Sequence, residues 1–336
     1  MTQRSILVTG GAGYIGSHTV LQLRARGERV VVLDDLSTGF REAVLDAPLI
    51  VGNAGDAALV RQVLRDHDVD TVMHFAASIS VPDSVREPLA YYRNNTVNTR
   101  ALLEACAAHG LEQFVFSSTA AVYGMPANGR ASEVDPTQPI NPYGRSKLMS
   151  EWMLRDLEAA TATGTHPLRY VALRYFNVAG ADSQLRIGQA LKASFHLVHV
   201  AAEHVSGRRP HIAMFGTDYD TPDGTAIRDY LHVEDLASAH LNALDHLRAG
   251  KASTTLNVGY GHGYSVRAVL DAVQRASDRP LVIQTGPRRA GDPPVLVAEA
   301  ARIRAELGWQ PQKDDIDQIV RSAIGWEKKL RAHPWG

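Results

Sequence analysis

The chain has 336 residues, 45% of them hydrophobic and 21% charged, with a formal net charge of -1. This balance describes an ordinary folded protein of one large domain or two modest ones; it excludes disorder, and the scattered basic residues exclude an electrostatic footprint for nucleic acid or an anionic membrane. Cys106 is the single cysteine, no apolar run is long enough to span a bilayer, and SILVTG begins within five residues of the start, so a cytoplasmic protein without a signal peptide, acting on small ligands, is expected.

The first predicted strand, SILVTG, is followed by TGGAGYIGSH. Gly11, Gly13 and Gly16 satisfy Gly-x-Gly-x-x-Gly, and Gly10, Gly13 and Gly16 the wider Gly-x-x-Gly-x-x-Gly. Glycines there allow a tight turn and bring backbone N–H groups at a helix start close to a pyrophosphate. The motif is weak alone, but here a strand precedes it, a helix-forming segment follows, and Asp34 closes the second apolar run, RVVVLDD. An acid at that position binds an adenosine ribose and repels a 2'-phosphate, so NAD is expected over NADP.

Further apolar runs follow at PLIVGNAG, TVMHFAA, QFVFSST and YVALRYFNVAG, each separated by helical-looking sequence. Runs buried on both faces and joined by helices predict an α/β fold with a doubly wound, Rossmann-type parallel sheet. Beyond about residue 180 the alternation loosens into Pro, Gly and Asp clusters such as FGTDYDTPDGT and GPRRAGDPP. A cofactor-binding domain over 1–180, with a returning segment near 225–260, and a smaller α/β C-terminal substrate domain over 181–336 are expected.

NPYGRSK at 141–147 predicts a helix start, with Asn141 as cap and Pro142 at the first helical position. Tyr143 and Lys147 then share a helix face. In isolation such a pair is an aromatic ring packed on a lysine stem.

SSTAAVYG at 117–124, NPYGRSK, RYFNVAG at 174–180 and DGTAIRDYLHVEDL at 223–236 together resemble, in this order, the extended short-chain dehydrogenases that act on nucleotide sugars. The resemblance covers essentially the whole chain and is strongest to the 4-epimerases among them. It implies an isomerase with bound NAD that interconverts UDP-glucose and UDP-galactose through a transient 4-keto sugar, and a homodimer pairing helices near 90–109 and 143–161. Tyr143 would be the base, its phenolate favoured by Lys147, the helix start and oxidised nicotinamide, and Thr119 would orient the sugar hydroxyl. A shift of about 3 units from the usual tyrosine value is needed.

By the same resemblance the cofactor would lie on Gly10, Gly13, Tyr14, Ile15, Gly16, Asp34, Asp35, Leu36, Ser37, Thr38, Gly39, Asn53, Ala54, Phe75, Ala76, Ala77, Ser78, Asn94 and Phe176, with Thr119, Tyr143 and Lys147. The UDP-sugar would meet Thr119, Tyr143, Asn177, His196, Leu197, Ala213, Met214, Phe215, Arg228, Arg289, Asp292 and Leu296. Asn53-Ala54 stands where many members carry Asp-Ile, Ile79 where some carry a lysine, and His199 where a proline is common. Leu296 occupies a position that is large in members confined to glucose and galactose.

A dehydratase of this family needs an Asp-Glu pair after the threonine, and this chain has Ala120 and Ala121, which exchange no protons. A 4-epimerase of UDP-pentoses or UDP-N-acetylhexosamines, or a net sugar-nucleotide oxidoreductase, uses the same Tyr and Lys and stays open at this point. The fourteen histidines match neither His-Glu-x-x-His nor His-x-x-Glu-His, so no metal site is expected.

Overall fold

The computed structural model describes residues 4–191, 194–289 and 292–335. Seven parallel strands form its main sheet, in the spatial order Thr254–Val258, Arg169–Tyr175, Gln113–Thr119, Val69–His74, Ser5–Thr9, Arg29–Asp34 and Leu49–Val51. Every residue of Ser5–Thr9 is buried, which is what a strand covered by helices on both faces requires. Successive side chains face opposite ways. Ile6 and Val8 accordingly join one hydrophobic core with Val32 and Leu173, while Leu7 joins a second with Leu33, Phe114 and Phe116.

The first core is closed by the helices Tyr14–Ala25 and Val233–Arg248, and the second by Ala57–Asp66 and Asn98–His109. Strand order reverses between Ser5–Thr9 and Val69–His74, so their connections leave in opposite directions and open a crevice at the carboxyl ends. The chain returns to this sheet late: Thr254–Val258 pairs in register with Val171–Tyr175.

The helix Pro142–Thr161 starts as its sequence predicts. Asn141 accepts the amide of Gly144 at 2.8 Å and Pro142 fills the first turn. Before it lies a widened π-helical turn, Tyr92–Val97, carrying the adjacent amides Asn94 and Asn95. Such turns interrupt the regular ladder and re-aim side chains.

The remaining strands are short. Ile227–Arg228 lies between Tyr264–Ser265 and Val295–Ala298, and the latter also pairs with Arg130–Ala131. Ile212–Phe215 pairs with Ile283–Gly286, and Asn177–Ala179 with Tyr230–His232. The helices Leu197–Val205, Val266–Arg275 and Ile316–Ala332 pack on one another beside these pairs. Among the described residues no helix is long and apolar enough to cross a membrane.

Candidate active site

At the crevice the glycine loop is held by close backbone contact. Gly10 has φ +73°, and a Cβ there would lie 2.5 Å from the Ala76 amide nitrogen. One on Gly16 would lie 2.3 Å from the Gly10 carbonyl oxygen. These two positions exclude any side chain. Gly13 differs: it caps the Tyr14–Ala25 helix, and its Cβ would meet only the Gly10 carbonyl, at 3.3 Å. The cradle over the helix start is the open, N–H-lined shape that a pyrophosphate needs, so the residues present fit a dinucleotide.

Asp34 is 8% exposed and turned toward this loop. One carboxylate oxygen accepts the Ala12 amide at 2.9 Å, and the other accepts the Leu36 amide at 2.9 Å. Burial pushes its carboxyl up, and the two amides work against that. Beside it Asp35 accepts the amide and hydroxyl of Ser37, and Thr38 and Gly39 complete the turn, with Gly39 against Ala12. Asn53 donates weakly to Asp35 at 3.4 Å and accepts the Gly55 amide at 2.7 Å. Ala54 is buried among the residues of the second core.

Across the crevice the amides of Phe75 and Ala76 donate to the carbonyl of Thr9 at 2.9 and 3.1 Å. The Phe75 ring packs on His240 at 4.7 Å. Ala77 and Ser78 continue the segment; Ser78 receives Asn94 on its hydroxyl at 2.9 Å, and its amide donates to Asn95 at 2.8 Å. Ile79, 41% exposed, supplies no charge there. Tyr14 reaches from the glycine loop to donate to the Gly180 carbonyl at 2.6 Å, while Ile15 and Phe176 pack into the first core.

At the carboxyl end of Gln113–Thr119 the three candidate catalytic residues come together. Lys147, 2% exposed, donates to the Ser117 carbonyl at 2.7 Å and lies 4.9 Å from the centre of the Phe116 ring. Tyr143 shares a hydrogen bond with Thr119, whose hydroxyl also accepts the Ala121 amide at 3.1 Å. The electrostatics differ from the sequence expectation. In the protein alone burial pushes Tyr143 up to about 12, against the Thr119 hydrogen bond, and pulls Lys147 down to about 7, against the charge of Glu151. Desolvation penalises the phenolate and the ammonium alike, so the chain's own groups leave Tyr143 protonated.

The candidate substrate residues gather around the short strand pairs. Arg228 donates to the Ile227 carbonyl at 2.7 Å and to Asp292 at 2.5 Å. Leu296 stands opposite Arg228 in the parallel register and is half-buried. The guanidinium of Arg289 sits 4.2 Å from the centre of the Phe215 ring. Along Ile212–Phe215 the faces alternate: Met214 is buried in the core, leaving the side chains of Ala213 and Phe215 on the outer face. His196 caps the helix that begins at Leu197, takes a hydrogen bond from Gln189 at 2.9 Å, and is pulled down to about 4 by burial and then by His199. The Asn177 amide donates to the Asp229 carbonyl at 3.0 Å.

Several residues that hold this site did not stand out in the sequence. Asn95, 1% exposed, also donates to the Ser78 carbonyl at 2.9 Å and the Ser146 hydroxyl at 3.0 Å, tying the crevice to the helix Pro142–Thr161. Two asparagines inside a helical stretch were its only signal. Asp229 accepts the amides of Tyr260, Gly261 and Ala298. Glu151 and Arg174 form a buried ion pair at 2.6 Å directly behind Lys147 and Ser118.

Relatives are similar over almost the full length. A UDP-glucose 4-epimerase of Azospirillum brasilense is 57% identical, covering 97% of this chain and 92% of its own. The crystal structure of UDP-glucose 4-epimerase from Brucella ovis in complex with NAD superimposes with a TM-score of 0.92 at 41% identity, covering 97% of this chain and 98% of that one. The enzyme from Bifidobacterium longum in complex with NAD+ and UDP does so with a TM-score of 0.91 at 36% identity, covering 97% and 99%. The glycine loop, Asp34 and the Tyr143–Lys147 face all fall within residues 6–259, which match the family's characteristic pattern, and the chain belongs to the NAD dependent epimerase/dehydratase family.

Proposed function

We propose that this protein interconverts UDP-glucose and UDP-galactose with a bound NAD. The observation that carries the reading is the meeting of Tyr143, Lys147 and Thr119 at one strand end, beside a glycine cradle fit for a dinucleotide and followed by two alanines instead of an acid pair. Likeness to UDP-glucose 4-epimerases at up to 57% identity supports the same reading.

NAD would rest on the Gly10–Gly16 loop, Asp34 and the Phe75–Ser78 segment, with Lys147 near its ribose. When bound it supplies reversible two-electron oxidation at C4 and, in its oxidised form, a positive charge. Tyr143 takes the proton of the sugar 4-hydroxyl as C4 becomes a ketone, and returns it after the sugar has presented its other face. Thr119 orders Tyr143 for both transfers. Arg228 and Arg289 grip the diphosphate, a task suited to guanidinium forks, while Asp292, His196, Leu197, Ala213 and Phe215 hold the uridine. That firm grip leaves the sugar free to turn.

Leu296 beside Arg228 favours the unsubstituted hexoses over UDP-N-acetylhexosamines. We read residues 1–180 with the return at 225–260 as the cofactor-binding part, and the rest of 181–336 as mainly the UDP-sugar part. The reading includes a cytoplasmic homodimer paired through the helices near 90–109 and 143–161, where Leu89, Val97 and Trp152 are exposed.

The test is incubation of the purified protein with UDP-galactose and no added cofactor, followed by identification of the sugar. UDP-glucose is expected. UDP-galactose unchanged even after NAD is supplied would overturn the reading.

A further inference from the structure

Tyr143, Lys147 and Glu151 succeed one another at four-residue intervals along the Pro142–Thr161 helix and therefore share a face. Three consecutive strand residues each take one of them. The Ser117 carbonyl accepts Lys147 at 2.7 Å, the Ser118 hydroxyl donates to Glu151, and Thr119 is hydrogen-bonded to Tyr143. Glu151 itself is 6% exposed. Its oxygens receive Arg174 through Nε at 2.9 Å and Nη2 at 2.6 Å. Arg174 in turn donates to the hydroxyl of Tyr123 at 2.9 Å, and Tyr123 to Asn257 at 2.7 Å. The carboxylate is fixed from two strands, through Ser118 and Arg174.

We propose that Glu151, pinned by Arg174 and Ser118, is a positioning residue that keeps Lys147 in its charged form beneath the reacting hydroxyl. This rests on the proposed epimerase reading. Among the described residues, the other titratable groups around Lys147 provide no such charge. His74, on the neighbouring strand, is hydrogen-bonded to Thr9 and Thr99 and held neutral by burial. Tyr143 on the same helix and Tyr175 on the next strand are both pushed up by burial, and Phe116 offers only its ring. Glu151 is the acid whose field opposes the desolvation of Lys147. Arg174 compensates the buried carboxylate and, with Ser118, holds it in place.

Glu151→Gln keeps the shape and most hydrogen bonds but removes the charge, so Lys147 loses its proton at lower pH. The alkaline limb of the kcat profile for UDP-galactose is expected to move acidward by about one pH unit or more, with KM changed less than about threefold. In the same variant the Lys147 ammonium, followed by NMR in protein labelled with 15N-lysine and read against Lys147→Met as blank, should titrate at lower pH than in wild type. Glu151→Gln with Arg174→Gln removes both charges and leaves no unpaired ion; it should move both readouts the same way by a smaller step, and it decides the matter alone if the single variant does not fold. A purely structural role would lower kcat equally at all pH values with both readouts unmoved, and that result overturns the inference. An inactive wild type would overturn the epimerase reading instead, so the two failures are told apart.

Discussion

Asp34 accepts the backbone amide of Ala12 at 2.9 Å, so the acid expected to face a ribose also braces the glycine loop that would carry the pyrophosphate. One carboxylate therefore has two tasks. Asp34→Asn loses the charge and one good acceptor, and a charge-assisted hydrogen bond contributes about 1.5–3 kcal/mol. NAD should bind about tenfold or more weakly in a fluorescence titration, and the preference over NADP should narrow because the repulsion of a 2'-phosphate is gone. Unchanged NAD affinity would mean that the loop is set without Asp34.

Gly10, Gly13 and Gly16 of the loop should separate by phenotype. A Cβ on Gly16 meets the Gly10 carbonyl at 2.3 Å and one on Gly10 meets Ala76 at 2.5 Å, so alanine at either position forces backbone apart and lowers the melting temperature. A Cβ on Gly13 meets one atom, at 3.3 Å, at the start of the helix Tyr14–Ala25. Gly13→Ala should fold with a nearly unchanged melting temperature and still lose most of its NAD binding. Thermal unfolding with and without NAD separates these outcomes: Gly13→Ala alone should keep its stability while losing the stabilisation by ligand.

Lys147 lies near 7 in the folded chain, below its ordinary value near 10.5. The unfolded chain therefore binds more protons between those values, and stability rises with pH across about 7 to 10. Below the folded value the cost of burying the ammonium is fully present; it fades as pH rises towards the unfolded value. Lys147→Met should gain stability over wild type at pH 7, and that gain should shrink by about 2 kcal/mol at pH 9. Urea unfolding at the two pH values measures it. A gap that does not change with pH would mean that Lys147 is not desolvated as its surroundings indicate.

Much of the sheet was legible because strands buried on both faces must be almost wholly apolar. SILVTG, RVVVLDD and QFVFSST each became a central strand, and the cap at Asn141 followed from Asn before Pro. The helix face shared by Tyr143 and Lys147 was legible as a spacing of four. Arg174 was not, since a charge inside YVALRYFNVAG has no meaning until Glu151, 23 residues earlier, is seen across from it. Met214 and Ala54, which the resemblance carries to the site, are buried in the two cores, a burial that the motifs alone do not fix. The protonation of Tyr143 was also hidden in the sequence, because burial depends on what packs around a ring and not on the lysine four residues later.

The central claim is that Tyr143 exchanges the proton of the sugar 4-hydroxyl, and Tyr143→Phe tests it most directly because it deletes one oxygen from a site otherwise intact. With UDP-galactose as substrate and NAD supplied, kcat should fall by about 10²–10⁴, with KM and NAD binding little changed. Interconversion at the wild-type rate by Tyr143→Phe would contradict the account.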